Sequence, residues 1–576
     1  MPIVSQNKRW EIYPPQPSLA KELAEALKIN PLTAQVLINR GFNNPDLAHA
    51  FLNPSLENLP NPFLMKDMEK AVLRLEEALK RKERITIYGD YDVDGTTGSS
   101  LLYLFFTELQ GTVDVYIPHR VQEGYGLNIK ALEHLKKEGS QLVVTVDNGI
   151  SSVAEAEKAR ELGLDLIIID HHQVPPKIPF ATAILNPKQE DCSYPSKELA
   201  GVGVAFQFAL ALRNHLRKQG YFQDRKEPTL KKYLDLVTLG TIADLVPLTG
   251  LNRILVKLGL EVLSESKNLG VQALKEVAGV SGKITPGQVG FRLGPRINAA
   301  GRLSSAKVGF DLLTSSDLDQ ARVLAKQLDI ANQERQALEM QIVEEACERI
   351  EQEGILQKKC SILVCDPKWH LGVIGIVASR LVDRYYLPAI VGTVEAGKLR
   401  CSARSISGLD LYKALQACEI HLEKFGGHRQ AAGLTFLEEK KEVFWQAFDQ
   451  KVKDQLSAEQ FIPFVRVDAE IEPNLIQKEF IEELQTLAPF GQGNPEPVFW
   501  AKNLTLFDQQ QVGSNHLRFK FKGDQYFLEA IGFKMAGVDF TKTKQLMCLF
   551  SCQFNEWNGR KQIQLRLVDF PRPKII

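Results

Sequence analysis

Three carboxylates fall within five residues in Tyr88-Gly89-Asp90-Tyr91-Asp92-Val93-Asp94-Gly95, directly after a short β-rich run. Acids set so close together repel one another unless a cation lies between them, although an acidic turn capping the next helix has the same composition. Further acids and imidazoles occur in Val146-Asp147-Asn148-Gly149, in Ile169-Asp170-His171-His172 and, inside an apolar run, at Asp244. Carboxylate and imidazole donors without a thiolate suit two divalent ions such as Mn²⁺ or Mg²⁺ better than a Cys-type zinc site. Such a pair, about 3.5 to 4 Å apart, clamps a phosphoryl oxygen and deprotonates an attacking water. The chemistry expected of Asp90, Asp92, Asp94, Asp147, His171 and Asp244 together is therefore phosphoester hydrolysis. Asp244 taken singly also reads as a buried helix cap.

The elements that must position these residues alternate. Arg84 to Tyr88, Val113 to Pro118, Leu142 to Val146 and Leu164 to Ile169 read as strands. Helices are expected between them, over Thr96 to Gln110, over Asn128 to Glu138 and from Ser151 or Ser152 to Gly163. This alternation predicts a parallel sheet covered on both faces, with ligands bound beyond the carboxyl ends of its strands, where the acids lie. A long helical connector follows from about Ser316 to Glu353, with Leu318, Ala321, Leu324, Leu328, Ala331 and Leu338 at helical spacing. A second α/β unit is expected from Ser361, with helices near 410 to 425 and 438 to 455. From about 462 the pattern turns to β, including His516 to Lys522, Tyr526 to Phe533 and a hairpin at Asn558-Gly559.

The 576 residues are too many for one core. Hydrophobic residues at 44% and charged ones at 24% exclude wholesale disorder. The 70 basic side chains equal the 70 acidic ones, so any nucleic-acid surface must be a local patch. No stretch approaches 18 uninterrupted apolar residues and the first ten residues carry no signal-peptide core, so a soluble cytoplasmic protein without membrane contact is expected. The eight cysteines show no C-x-x-C and read as reduced thiols.

With Asp90 to Asp94, Asp147, Asp170-His171-His172 and Asp244 together, the chain resembles the DHH phosphoesterase superfamily. Gly294-Pro295-Arg296-Ile297-Asn298-Ala299-Ala300-Gly301-Arg302, Trp369 to Gly375, Cys401 to Ser405, Phe425-Gly426-Gly427-His428 and Pro489 to Pro497 are similar to segments of its bacterial branch of 5′→3′ exonucleases specific for single-stranded DNA. The resemblance spans roughly residues 30 to 570. It implies an N-terminal helical extension (1–50), a parallel-sheet DHH phosphoesterase domain (51–312), a connecting helix (313–356), a second α/β, DHH-associated domain (357–457) and an OB-like β-barrel (458–576). By the same resemblance Asp92 and Asp94 form the superfamily's D-x-D, Asp147 bridges two metals, His171 is a metal ligand and Asp244 the last carboxylate. Asp90 matches an extra acid of the exonuclease pattern, and His172 is assigned to phosphate contact or proton transfer. Short-substrate relatives carry His where this chain has Tyr88, which leaves one metal's ligands to be completed by Asp90 or water.

An exonuclease must also hold a chain end, which guanidinium forks, hydroxyls and backbone amides do well. Arg120 follows a strand end on the edge assigned to the metals, or is a solvated loop arginine. Ser402, Arg404, Gly426, Gly427 and His428 are candidates for the 5′-phosphate; Gly426-Gly427 alone also reads as a helix stop. His370 reads equally as a helix cap or a phosphate donor. Arg296, Asn298 and Arg302 form a polar cluster among Gly and Ala that suits a narrow passage. Arg518, Lys520 and Lys522 alternate with apolar residues, as on a strand with one buried and one polyanion-facing side, or on any amphipathic edge strand. Trp557, Arg560 and Lys561, beside the Asn558-Gly559 turn, extend this candidate surface.

These readings combine into a monomeric exonuclease that threads single-stranded DNA between two α/β domains, releases 5′-mononucleotides in repair and recombination, and cooperates with a helicase and a single-strand-binding protein. Two alternatives remain: a phosphodiesterase of short oligonucleotides or cyclic dinucleotides, and a non-catalytic single-strand-binding replication factor.

Overall fold

The computed structural model describes residues 8–119, 123–124, 126–303, 305–522, 527–536, 538, 540, 545–557 and 560–571. The chain divides into two compact units: residues 53–335 with 488–495, and residues 1–52 with 336–487 and 496–576.

The first unit is built on five parallel strands, β1 (Arg84–Tyr88), β2 (Thr112–Tyr116), β3 (Leu142–Val146), β4 (Asp165–Ile169) and β5 (Ala183–Leu185), in the order 2-1-3-4-5. The inner strands β1, β3 and β4 are mostly apolar on both faces because helices cover both. Leu142, Val144, Val146, Ile167 and Ile169 enter one core, and Val143, Leu166 and Ile168 enter the other, as the pleat requires. Strand order reverses between β1 and β3, and a doubly wound sheet opens its ligand crevice at such a reversal. The helices that matter for the site are α1 (Val93–Glu108), α2 (Gly201–Lys218), α3 (Leu234–Ala243) and α4 (Gly294–Leu303).

The expected connector is one helix, α5 (Leu318–Gln352). It leads to a mixed sheet of β6 (Ile362–Cys365), β7 (Ala389–Glu395), β8 (Lys398–Arg404), β9 (Lys424–Gly427) and β10 (Ala431–Leu437), in the order 9-10-8-7-6. Only β6 and β7 run parallel. Helix α6 (Ile374–Tyr385) packs on β7 and β8. The helix expected near 410 to 425 is shorter, Leu411–Gln416 with one 3₁₀ turn, and Gly426-Gly427 lie in β9, not at a helix stop.

Five strands close the C-terminal barrel: β11 (Phe499–Val512), β12 (His516–Lys522), β13 (Phe527–Gly532), β14 (Gln545–Trp557) and β15 (Arg560–Asp569). β11 pairs with both β12 and β14, β13 pairs with β12 and β15, and β14 pairs with β15, so no edge of this ring is left open. Trp557 stands opposite Arg560 across the expected hairpin; Asn558 and Gly559 lie outside the described residues. The N-terminal region is not purely helical. Before its helices Pro17–Leu27, Pro31–Asn39 and Pro45–Leu52, a strand at Arg9–Ile12 pairs in parallel with Phe464–Val467, and Trp10 donates to Asp569 of the barrel at 2.8 Å.

Candidate metal centre

Sheet hydrogen bonding continues just past the strand ends and so fixes where the acids emerge. Gly89 N donates to Tyr116 O, Asp147 N to Ile169 O and Asp170 N to Leu185 O, each at 2.9 to 3.0 Å. Asp147 then leaves the strand direction with a φ of 66°, a left-handed conformation unusual for a buried residue with a side chain and costly unless its surroundings hold it. Asp92 caps α1 by accepting from Gly95 N at 3.0 Å. Asp94, two residues on in the first turn and fully buried, accepts from Gly201 N at 2.6 Å and Val202 N at 2.8 Å, the first amides of α2. Asp244 is not at a strand end. It is the C-cap of α3, and the packing of that helix, not the sheet, delivers it.

These elements bring the acids and imidazoles together. His171 Nε2 lies 3.1 Å from Asp147 Oδ1, 3.6 Å from Asp244 Oδ2 and 3.8 Å from Asp94 Oδ2. Ligand atoms of Asp94, His171 and Asp244, of Asp90, Asp92 and Asp147, and of Asp147, His171 and His172 cluster within 4.8 Å of one another in each group. Asp147 thus belongs to two groups and touches His171, the hub of the third. Three glycines permit this density. A Cβ on Gly95 would come 2.6 Å from Asp90 Cβ, one on Gly201 2.8 Å from Asp147 Cβ, and one on Gly240 2.9 Å from Asp94 Oδ1.

The electrostatics are those of a site awaiting positive charge. Burial, then the charge of Asp92, pushes the Asp94 carboxyl up to about 7. Burial and neighbouring carboxylates drive Asp147 and Asp244 well above the usual range. Burial and then His172 lower His171 to about 3, which keeps its ring neutral and able to ligate. Among the described residues, neither Asp94 nor Asp244 is paired with Lys or Arg, and Asp244 Oδ2 accepts no hydrogen bond. A mixed oxygen and nitrogen donor set with this surplus of negative charge fits Mn²⁺ or Mg²⁺.

Asp170 is a positioning residue that spacing alone did not single out. It accepts from Ile150 N (2.8 Å), His171 N (2.7 Å), His172 N (3.0 Å) and His172 Nδ1 (2.7 Å). Burial opposes its ionisation, but those donors bring it below the usual carboxylate range. The signal was the Asp-His-His tripeptide itself, whose first residue orients the other two. The Gly201-Val202 amides were equally missed and carry no local signature. Tyr88, at the position of doubt, turns away into the core: its hydroxyl donates to Gly126 O at 3.1 Å.

The other candidates divide. Asn298 Oδ1 accepts from Val93 N at 3.1 Å, so it holds the acidic loop. Arg296 pairs with Asp329 at 2.8 Å and donates to Arg292 O. Arg302 is half-buried on α4. Arg120 lies outside the described residues. In the other unit, Ser402, Gly433 and Gly426 form one row across β8, β10 and β9. Arg404 Nη1 donates to Ser402 Oγ at 3.0 Å, and both side chains stand against Gly375 at the start of α6. His370 Nδ1 accepts from Gly372 N at 3.1 Å in the turn before α6, whose own N-cap is Val373. His428 is exposed beyond β9, its backbone N donating to Ala431 O. In the barrel, Arg518, Lys520 and Lys522 do face outward, alternating with buried Leu517, Phe519 and Phe521. Beside them two aromatic rings that sequence reading overlooked, Phe507 and Phe527, are exposed and pack 4.8 Å apart, with Lys520 over Phe527 at 4.7 Å. Exposed phenylalanines facing alternating lysines were the available signal.

A parallel sheet with Asp and His donors converging at its switch point defines a DHH phosphoesterase, a metal-dependent nuclease. The DHH family N-terminal domain matches residues 84–241, the DHHA1 domain 357–454 and the RecJ OB domain 467–569. The single-stranded-DNA-specific exonuclease RecJ of Bacillus subtilis (strain 168) is 40% identical over 574 residues, covering 98% of this chain and 71% of that protein. RecJ of Escherichia coli (strain K12) is 38% identical over 518 residues, covering 87% and 89%. The crystal structure of RecJ with Mn²⁺ from Thermus thermophilus superposes with a TM-score of 0.82 at 31% identity, over 99% of this chain and 80% of that one. The chain belongs to the RecJ family.

Proposed function

We infer that this chain is a 5′→3′ exonuclease that hydrolyses single-stranded DNA to 5′-mononucleotides in DNA repair and recombination, as a cytoplasmic monomer working with a helicase and a single-strand-binding protein. The observation that carries the chemistry is the gathering of Asp90, Asp92, Asp94, Asp147, His171 and Asp244, with His172, into three overlapping groups of ligand atoms, most of them buried. Family membership supports the substrate. No helix among the described residues is long and apolar enough to cross a membrane, which agrees with the proposed location.

In this reading Asp94, His171 and Asp244 would hold one ion and Asp90 and Asp92 the other, with Asp147 available to both. When bound, two such ions supply Lewis-acid activation of water and neutralise charge at the phosphoryl oxygens. The protein's own residues do the rest. The Gly201 and Val202 amides keep Asp94 in register, and Asp170 fixes both imidazoles. Because Asp170 takes His172 Nδ1, proton transfer or phosphate contact by His172 falls to Nε2. Within the second unit, Ser402, Arg404 and the open Gly426-Gly427 backbone offer a hydroxyl, a guanidinium and amides to a phosphate, with His370 and His428 as further candidates; in the first unit the candidates for phosphate contact are Arg120 and Arg302. The outward basic strand and the Phe507-Phe527 pair bind the strand further along by charge and stacking.

The test is degradation of end-labelled single- and double-stranded DNA with Mn²⁺, Mg²⁺ or chelator, alongside a dinucleotide. Metal-dependent release of mononucleotides from the 5′ end of the single strand is expected, with Asp147→Ala abolishing hydrolysis while binding persists. Preference for the dinucleotide, or full activity of Asp147→Ala, overturns the reading.

A further inference from the structure

The loop that presents Asp244 does something the metal centre does not require. Leu245, the next residue, adopts a φ of 58° and is 73% exposed; opposite, Phe291 is 84% exposed on a π-helical turn, Val289–Leu293. Single exposed apolar residues are ordinary, but these two line one hollow of about 430 Å³ together with Pro286, Pro295 and Phe490. Left-handed backbone at a bulky residue and π-helical turns both cost energy and gather at functional sites. The segment Ala488–Pro495 closes the hollow's floor: Leu248 N donates to Gln492 O at 2.7 Å and Lys257 Nζ to Ala488 O at 2.8 Å.

Two links run from the wall of the hollow to the metal centre, one along the chain and one through a hydrogen bond. Ala243 and Leu245, which flank Asp244, are in its wall, and so is Asn298, whose Oδ1 holds Val93 N between Asp92 and Asp94. A polynucleotide with a phosphate at the acids must put the attached base close by, and a single strand offers that base unstacked. We propose that this hollow is the subsite for a nucleobase next to the scissile phosphate, with Phe291 as its stacking face and Leu245 as its edge. Such stacking binds every base through its π-face and so needs no sequence preference. A paired base cannot enter, so the hollow also selects single strands. The proposal rests on the exonuclease reading above and deepens it.

The experiment uses the full chain with Mn²⁺ and 5′-phosphorylated single strands, either intact or carrying one abasic nucleotide at each of the first three positions in turn. In the unmodified enzyme one abasic position is expected to lower kcat/KM about tenfold, chiefly through KM, as loss of one stacked base does. Phe291→Ala is expected to lose about tenfold on the intact strand and nothing further on the abasic one, while Phe291→Trp retains both rate and discrimination. Because the ring is exposed, Tm should stay unchanged, which separates this result from misfolding. Equal kinetics of Phe291→Ala and the unmodified enzyme, or no abasic penalty at any position, overturns the proposal. Absence of any single-strand hydrolysis by the unmodified enzyme is a different outcome, and overturns the exonuclease reading itself.

Discussion

Replacing Gly201 with alanine tests whether the backbone beneath the acids sets their chemistry. The residue opens α2, its amide donates to Asp94 at 2.6 Å, and an added Cβ would stand 2.8 Å from Asp147 Cβ and 3.1 Å from both Asp147 Cα and Oδ1. Real Cβ contacts stay beyond about 3 Å, and the obstructing atoms are next to backbone already held in a left-handed turn, so several tenths of an ångström must be found by moving Asp147, α2 or both. Overpacking of this kind costs about 1–3 kcal/mol, while Gly→Ala at the first position of a helix returns at most the interior value of about 1 kcal/mol, so net stability should fall by about 0–3 kcal/mol. Activity is far more sensitive: misplacing a reacting constellation by 1 Å can cost about 100-fold. The expected result is a kcat reduced about 10- to 100-fold and weaker Mn²⁺ affinity by calorimetry, with a Tm shifted by only a few degrees. Gly203→Ala on the same helix is the control, because its methyl meets only the movable Leu199 side chain at 3.3 Å and should be neutral or mildly stabilising. If Gly201→Ala keeps the kcat and Mn²⁺ affinity of Gly203→Ala, Asp147 is not held where its neighbours fix it and the reasoning fails.

Two further outcomes follow from other parts of the molecule. Asp235, buried on α3 with Ser266 donating to it at 2.5 Å, is pushed up to about 6 by burial. A carboxyl raised on folding stabilises fully below its unfolded value near 4 and loses that contribution as pH rises through 6. Asp235→Asn should therefore flatten the decline of Tm between pH 4 and 7 and gain about 2–3 kcal/mol at pH 8, at 1.36 kcal/mol per pKa unit; an unchanged pH slope in calorimetric melts refutes it. On the barrel, Phe507→Ala combined with Phe527→Ala should raise KM for a 20-nucleotide strand about tenfold, with kcat within a factor of two, since stacking contributes about 1–3 kcal/mol per base. An unchanged KM would show that this aromatic pair is surface decoration.

What could be read from the sequence and what could not divide along a physical line. β1 and β3 are short, mostly apolar, β-branched runs ended by Gly or Asp, and their boundaries match the pattern because burial on both faces keeps them apolar apart from Arg84 and the threonines Thr86 and Thr145. The helix-stop alternative for Gly426 and Gly427 came from glycine's depletion in strands, yet here they extend β9 where an open backbone row is made. The Arg9–Ile12 strand was invisible since its partner is some 450 residues away, and residues 488–495, inside the stretch 458–576 assigned to the barrel, fold with the first unit. Within the site the same line holds. Crowded carboxylates announce themselves, because like charges at close spacing are intolerable without a counter-charge and few other uses justify them. The groups that aim them do not: the amides of Gly201 and Val202 are chemically identical to every other amide in the chain, and only tertiary packing tells them apart. Asp244 shows both sides at once, its charge legible in an apolar run and its delivery by the end of α3 legible only in the folded chain. Reading acids from sequence thus finds the chemistry of such an enzyme, while the small residues packed beneath them, which no charge pattern marks, decide whether the chemistry is in register.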